Sequence, residues 1–192
     1  MADFNFHPEN IFLPEKGHVL ISEPFLGDPY FKRAVVLICE HNEQGSFGLI
    51  LNKPISIKPH DLIQDFPFFD QSLFNGGPVD TKNLFFIHSL EGFKDAIPLG
   101  NELYLGGDFD ELQRLILKGT LTSSNLRLFV GYSGWGEGQL DSELEENAWM
   151  VGKTDSSLIF DYESDTLWQN HLKKLGPNYD HLINCPEDPS MN

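Results

Sequence analysis

Gly131-Tyr132-Ser133-Gly134-Trp135-Gly136-Glu137-Gly138-Gln139-Leu140 joins an alternating apolar strand, Leu126-Arg127-Leu128-Phe129-Val130, to a short acidic helix. Four glycines and two large aromatics in ten residues describe a stretch shaped by its backbone. Glycine admits dihedrals and close approaches that a Cβ forbids, and the aromatic rings ask for a packed groove. The reading is a rigid aromatic corner between strand and helix. Past the corner, Leu140, Leu144 and Ala148 fall four apart, which predicts one face of a helix from about Gln139 to Met150.

Upstream, Ala34-Val35-Val36-Leu37-Ile38-Cys39 is a continuous apolar, β-branched run, expected of a strand covered on both faces. The polar turn Glu40 to Ser46 separates it from Phe47-Gly48-Leu49-Ile50-Leu51-Asn52, stopped by Lys53-Pro54, and the two form an antiparallel hairpin. Further strands are read at His18–Ile21, Leu84–His88, Leu103–Leu105 and Leu158–Phe160. Asn75-Gly76-Gly77-Pro78-Val79 is a compulsory turn.

Helices are read from their punctuation. Pro59 opens one or two turns that end before Pro67, and Phe66, Phe68 and Phe69 follow as core anchors. Asp108 caps a helix carrying Leu112, Leu115 and Ile116, with Glu111 as the reciprocal acid. Ser164 caps a last one carrying Leu167, Trp168, His171, Leu172 and Leu175, closed by Gly176-Pro177. Strands come first, then helices mixed with strands, and the clearest pairing is antiparallel. The expected fold is α+β, a mostly antiparallel curved sheet flanked by helices in a single domain over 11–184. Residues 1–10 are expected to be a flexible N-terminus on which Phe4 and Phe6 could dock as a small lid, and 185–192 a flexible tail.

The chain has 192 residues, 40% of them hydrophobic, and sixteen Phe, which is enough for one large core and excludes global disorder. Its formal net charge of -16, with only 13 scattered Lys and Arg, repels phosphate backbones and anionic lipid. Direct nucleic-acid binding and membrane association are therefore not expected. Met1 to Asn10 lacks the basic and apolar regions of a signal peptide, so a cytoplasmic location is expected. Cys39 lies in an apolar strand and Cys185 in a polar tail, an unpromising pair for a disulfide.

Four ordered stretches are similar to one known family. Pro24-Phe25-Leu26-Gly27-Asp28-Pro29-Tyr30-Phe31-Lys32-Arg33-Ala34-Val35-Val36-Leu37 resembles the opening motif of the YqgE/AlgH family, also called UPF0301 or DUF179. Gly45-Ser46-Phe47-Gly48-Leu49-Ile50-Leu51-Asn52-Lys53-Pro54 resembles its second motif, and Gly76-Gly77-Pro78-Val79 with Ile87-His88 its third. Gly131-Tyr132-Ser133-Gly134-Trp135 with Gly138-Gln139-Leu140, Glu143 and Asn147-Ala148-Trp149 resembles its fourth. Ser133 stands where the family usually has Ala, Glu137 where it has Pro, and Lys53 where Arg is common. The resemblance implies an α+β protein and carries the label of a transcriptional regulator, without a reaction, cofactor or DNA-reading motif.

The residues themselves offer several chemistries. Gly131-Tyr132-Ser133-Gly134-Trp135 approaches the G-x-S-x-G nucleophile elbow, with Asp161 and His171 downstream, but Trp135 occupies the position that close packing reserves for glycine. A glycine-rich loop opening a helix could hold an anion, yet Glu137, Asp141 and Glu143 already complement the helix dipole, and no P-loop lysine follows. The seven histidines are all more than five positions apart and no cysteine pair exists, so no metal site is expected, and Asp141, Glu143, Glu145 and Glu146 read as a solvated face. No helix carries the basic face that DNA reading needs. What remains is a set of polar and aromatic residues at loop and strand ends, Asn52, Asn75, Gly77, His88, Tyr132, Trp135, Gln139 and Glu143, read as ligand- or partner-binding. The expected function is a protein-binding or regulatory module without cofactor, contacting a protein partner and open to homo-oligomerisation. The other expectation is a small-ligand binder or enzyme with a pocket near Trp135, Gln139, Asn52 and His88.

Overall fold

Val35, Leu37 and Cys39 point into one apolar cluster while Ala34, Val36 and Ile38 point into another, so the continuous apolar run is a strand buried on both faces. The computed structural model describes residues 12–186. In chain order its elements are β1 (His18–Ser22), β2 (Val35–Asn42), β3 (Gly45–Ile50), α1 (Pro59–Leu62), β4 (Phe74–Asn75), β5 (Val79–His88), β6 (Ile97–Gly100), β7 (Leu103–Leu105), α2 (Phe109–Leu117), β8 (Leu126–Gly136), α3 (Gln139–Glu145), β9 (Trp149–Lys153), α4 (Ser156–Phe160), α5 (Leu167–Leu175) and α6 (Asp180–Ile183). They build the expected α+β fold. One 9-stranded sheet runs β6-β7-β5-β8-β3-β2-β1-β9, antiparallel throughout except that β4 lies parallel to β8.

The sheet curls because its two ends share a core. Leu99 and Leu103 from the β6–β7 end pack in one cluster with Val19, Ile21 and Met150 from the β1–β9 end. Gly17 approaches the Leu99 carbonyl so closely that a Cβ there would lie 2.1 Å from the oxygen. Helices α4, α5 and α6 cover this face with Ile159, Leu167, Trp168, Leu172 and Leu182. On the opposite face, α2 and the segment around Phe66 and Phe69 cover the β5–β8 half, and α3 covers the β2–β1–β9 half.

The aromatic corner is not a corner. β8 continues through it to Gly136, and only Glu137 and Gly138 turn the chain into α3. What breaks the alternation is Gly131, at φ 70°, where the side-chain phase slips by one residue. Leu126 and Leu128 face one side, Phe129 and Tyr132 face the other, and Trp135 returns to the first side. This is the signature of a bulge with an extra residue in a left-handed conformation.

The sheet also forks there. β3 and β8 pair from Gly48–Ser133 to Gly45–Gly136 and part on the side of Ile50 and Val130, where Gly76-Gly77 fills the gap. Ile50 N–H and Ser133 Oγ both donate to the Gly76 carbonyl at 3.0 Å, and Gly76 N–H donates to Val130 at 2.9 Å.

Four further expectations are corrected. The helix expected to reach Met150 stops at Glu145, because Asn147 turns left-handed at φ 58° and Ala148 N–H closes on the Glu143 carbonyl at 2.9 Å. Leu158-Ile159-Phe160 is helix α4, not a strand, and its N-cap Asp155 accepts from Leu158 N–H at 2.8 Å. The last long helix begins at Leu167, with Thr166 rather than Ser164 at its N-cap. Phe68 is 73% exposed while Phe66 and Phe69 are buried, so the aromatic triplet anchors through two of its members. The sequence gives no strand signal at β6, which has Pro98 inside it. Phe4, Phe6 and the N-terminal segment 1–10 lie outside the described residues, as does the tail beyond Pro186. Cys185 is held, its carbonyl accepting from the Arg33 guanidinium. Cys39 and Cys185 are both free thiols, and no described helix is long and apolar enough to cross a membrane.

Two buried polar groups tie the layers. Arg127, 2% exposed, donates to the Leu51 and Ile159 carbonyls at 2.8 and 2.9 Å and lies over the Phe74 ring. Burial lowers its pKa to about 10, so it stays charged at neutral pH. His171 is buried between the Leu167 carbonyl (2.9 Å) and Thr154 Oγ1 (3.1 Å). Burial lowers its pKa to about 4 from 6.5. The folded state thus prefers the neutral ring, and its stability is complete above pH 6.5 and declines as pH falls toward 4. A loss of about 2 kcal/mol between pH 7 and 5 is expected from this residue. Urea titrations at the two pH values check it: His171→Gln should shrink the difference between them by that amount.

Candidate functional site

The fourth motif forms a pin. Trp135 Nε1 and Trp149 Nε1 both donate to Glu143 Oε2, at 2.8 and 2.7 Å. Gln139 Nε2 donates to Glu143 Oε1 at 2.9 Å, while Gln139 Oε1 accepts from Gly136 N–H at 3.0 Å. Phe31 stacks on Trp135 at 6.1 Å and meets Trp149 edge-on at 5.3 Å. One carboxylate from α3 therefore joins β8 to β9, and the pair of indoles clamps the Asp28–Arg33 turn through Phe31. Of the candidate residues, Trp135, Gln139 and Glu143 come together here, as a brace.

The others stand elsewhere. Asn52 accepts from Val35 N–H at 2.9 Å and donates to the Arg33 carbonyl at 2.8 Å, stitching the end of β3 to the start of β2. Asn75 accepts from Gly77 N–H at 3.0 Å. Gly77 sits in the fork, where a Cβ would meet the Tyr132 backbone at 2.3 Å. His88 is buried, its Nε2 donating to the Gly106 carbonyl at 3.0 Å and its Nδ1 accepting from Leu90 N–H at 3.2 Å. It stacks on Tyr104, and burial lowers its pKa. His88 pairs with Leu126 at the start of β8, nine residues before Trp135, so the two are roughly 30 Å apart along one strand. The structure does not bring His88 together with Trp135 and Gln139: extended β8 lies between them.

Ser133 does not form a nucleophile elbow. It lies inside a strand, fully buried, with its hydroxyl bound to the Gly76 carbonyl. Among the described residues no three His, Cys, Asp or Glu side chains are grouped to hold a metal ion.

Tyr132 opens onto a groove. Phe47, Phe85 and Tyr132 pack against one another with centroids 5.0 to 5.7 Å apart, at the edge of the core that lies inside the curl. Phe47 pairs with Gly134, which has no side chain and is exposed. The groove that results holds about 500 Å³ and is lined by Glu40, Asn42, Gln44, Phe47, Tyr132 and Gly134, among others. Asn42 Nδ2 donates to Glu40 Oε1 at 2.7 Å and fixes the carboxylate at the rim. The size and the mixture of an apolar floor with a few convergent polar groups fit a binding cleft. Glu40, Asn42, Gln44 and Phe47 were missed as site residues because the hairpin tip reads as an ordinary polar turn. The available signal was Phe47 opposite a glycine-rich strand.

Comparison with known proteins now bears on the whole chain. The family described as AlgH-like, DUF179, matches residues 19–180. A UPF0301 protein of Cytophaga hutchinsonii is 45% identical over 179 residues, covering 92% of this chain and 98% of that relative. One from Bacteroides thetaiotaomicron is 42% identical, covering 98% and 96%. Among solved structures, a Corynebacterium diphtheriae protein superposes with a TM-score of 0.76 at 25% identity, covering 91% of this chain and 94% of its own. The solution structure of AlgH from Pseudomonas aeruginosa superposes at 0.69 with 32% identity, covering 89% and 94%. With its four motifs braced into one curled sheet and relatives aligned over nearly its full length, the chain belongs to the AlgH-like family, UPF0301.

Proposed function

We propose that the protein is a protein-binding module that seats a partner segment in the groove over Gly134. An apolar side chain of the partner rests on Phe47 and Tyr132, and a neighbouring lysine or arginine pairs with Glu40. The observation that carries this reading is the half-open aromatic floor with a bare glycine at its centre and an oriented carboxylate at its rim. Support comes from charge: a protein of net charge -16 attracts basic segments and repels nucleic acid, so any regulatory effect runs through protein contact.

Selection from a phage-displayed decapeptide library tests it. Enriched peptides should carry Lys or Arg beside an aromatic or aliphatic residue. Their affinity should fall about tenfold or more for Glu40→Lys and for Gly134→Val. A valine at 134 fills the floor in an extended strand, where a Cβ lies 3.1 Å from the Tyr132 ring. Enrichment of acidic peptides, no enrichment, or peptides bound equally by both variants would overturn the proposal.

A further inference from the structure

The groove over Gly134 is bordered by an open sheet edge. Ile50 N–H reaches the Gly76 carbonyl on the β8 side of β3, and Leu51 N–H reaches the Val35 carbonyl on the β2 side. Successive residues of a strand direct their backbone polar groups to opposite sides, so Gly48 and Ser46 turn toward β8. Their partners Ser133 and Trp135 turn toward β3, and Gly134, between them, directs its N–H and C=O away from β3. The strand that covers β8 on that far side is β5, and it begins only at Val79, opposite Tyr132. Gly136 N–H, which points the same way as that of Gly134, is met by Gln139 Oε1 at 3.0 Å. Gly134 is exposed, and among the described residues no strand pairs with it on this side.

An unpaired strand edge is a template for another strand. We propose that the partner segment binds as an added β-strand on the line of β5, antiparallel to β8, with one residue exchanging two hydrogen bonds with Gly134. This rests on the groove reading above and specifies the partner's backbone: extended, with a free N–H at the residue opposite Gly134. Cross-strand neighbours share a face, and Phe47 is the neighbour of Gly134 on its other side. The partner's side chain at that residue therefore stands on the Phe47 face. Because Gly134 has no Cβ, the side chain can lie across it and reach the Phe47 and Tyr132 rings. Two copies of this chain, each of net charge -16, repel one another, so the occupant is a basic segment of another protein and not a second copy.

The test is amide hydrogen exchange of the intact ¹⁵N-labelled chain, alone and with the synthetic peptide acetyl-Arg-Thr-Phe-Thr-Arg-Thr-amide. In the free protein the Gly134 amide should exchange fast while Ser133 and Trp135 are protected, and saturating peptide should slow Gly134 about tenfold or more. N-methylation of the peptide's Phe removes the donor to the Gly134 carbonyl and should weaken binding about tenfold or more. N-methylation of the Thr on either side falls on the solvent edge and should change binding by no more than about twofold. Equal binding of the Phe-methylated and Thr-methylated peptides, or a Gly134 amide that stays fast at saturation, would overturn strand addition and leave the groove reading standing. No saturable binding of the hexapeptide would also overturn it, while the groove reading stands or falls on the library selection. A Gly134 amide already protected in the free protein would show the edge filled, by a second copy if dilution releases it, and would overturn the proposal.

Discussion

Alanine at Gly76 is expected to destabilise the protein by about 3–5 kcal/mol, a large fraction of the 5–15 kcal/mol that holds a domain together. The Gly76-Gly77 segment is a wedge in the fork between β3 and β8. A Cβ on Gly76 would lie 2.3 Å from the Gly131 carbonyl oxygen and 2.9 Å from a Leu49 methyl. Leu49 could adjust, but the Gly131 carbonyl belongs to β8, which is paired on both sides. Moving it would disturb the bonds from Ile50 and Ser133 to the Gly76 carbonyl as well. Gly27 provides the comparison, since nothing lies within 4 Å of a Cβ there and its φ is not positive. Gly27→Ala should be neutral, or stabilising by about 0.5 kcal/mol through the unfolded chain. Urea midpoints of the two variants read the difference directly. Equal midpoints would show that the fork is looser than its distances imply.

Removal of the Glu143 carboxylate is expected to cost about 3 kcal/mol. Trp135 and Trp149 are 6% and 1% exposed, and both indole N–H groups end on one oxygen of that side chain. Hydrogen bonds to a charged acceptor contribute about 1.5–3 kcal/mol each, and a buried donor left alone bears its full desolvation. Glu143 itself is only half-buried, so water can reach the vacated position and moderates the sum. Glu143→Leu should show the whole loss by urea denaturation, with altered near-ultraviolet circular dichroism from the two tryptophans. Glu143→Gln retains one carbonyl acceptor and should lose about half as much. A leucine variant as stable as the parent would mean that ring packing with Phe31, and not the shared carboxylate, holds the brace.

The two substitutions mark where sequence reading succeeded and where it stopped. The β2–β3 hairpin was legible because an unbroken β-branched run, a polar turn and a second run ended by Lys53-Pro54 leave no other local solution. The α2 cap was legible in part: Asp108 Oδ1 accepts from Glu111 N–H at 2.9 Å, but the Asp108 N–H goes to the Lys94 carbonyl, so Glu111 is not the reciprocal acid. The 131–136 stretch misled because its glycines suggested a turn when they serve close packing. Gly131 shifts the phase of β8, and Gly134 leaves room between Phe47 and Tyr132. Helix α4 misled because three apolar residues have no period, and Asp155, which caps it, lies outside the triplet.

For the candidate sites, the structure separates residues that the sequence grouped together. Tyr132 faces the groove, Asn75 accepts from Gly77 N–H, and Trp135, Gln139 and Glu143 form a brace with Trp149 and with Phe31, which is distant in the chain. Sequence alone determined the α+β class, the strand buried on both faces, the family and the negative surface, because these follow from local pattern and summed charge. The tertiary structure alone decided the fork, the shared carboxylate and the groove over Gly134. Each of these depends on which strands lie side by side, and that is settled by long-range packing in which a missing Cβ or one carboxylate acts on residues far away along the chain.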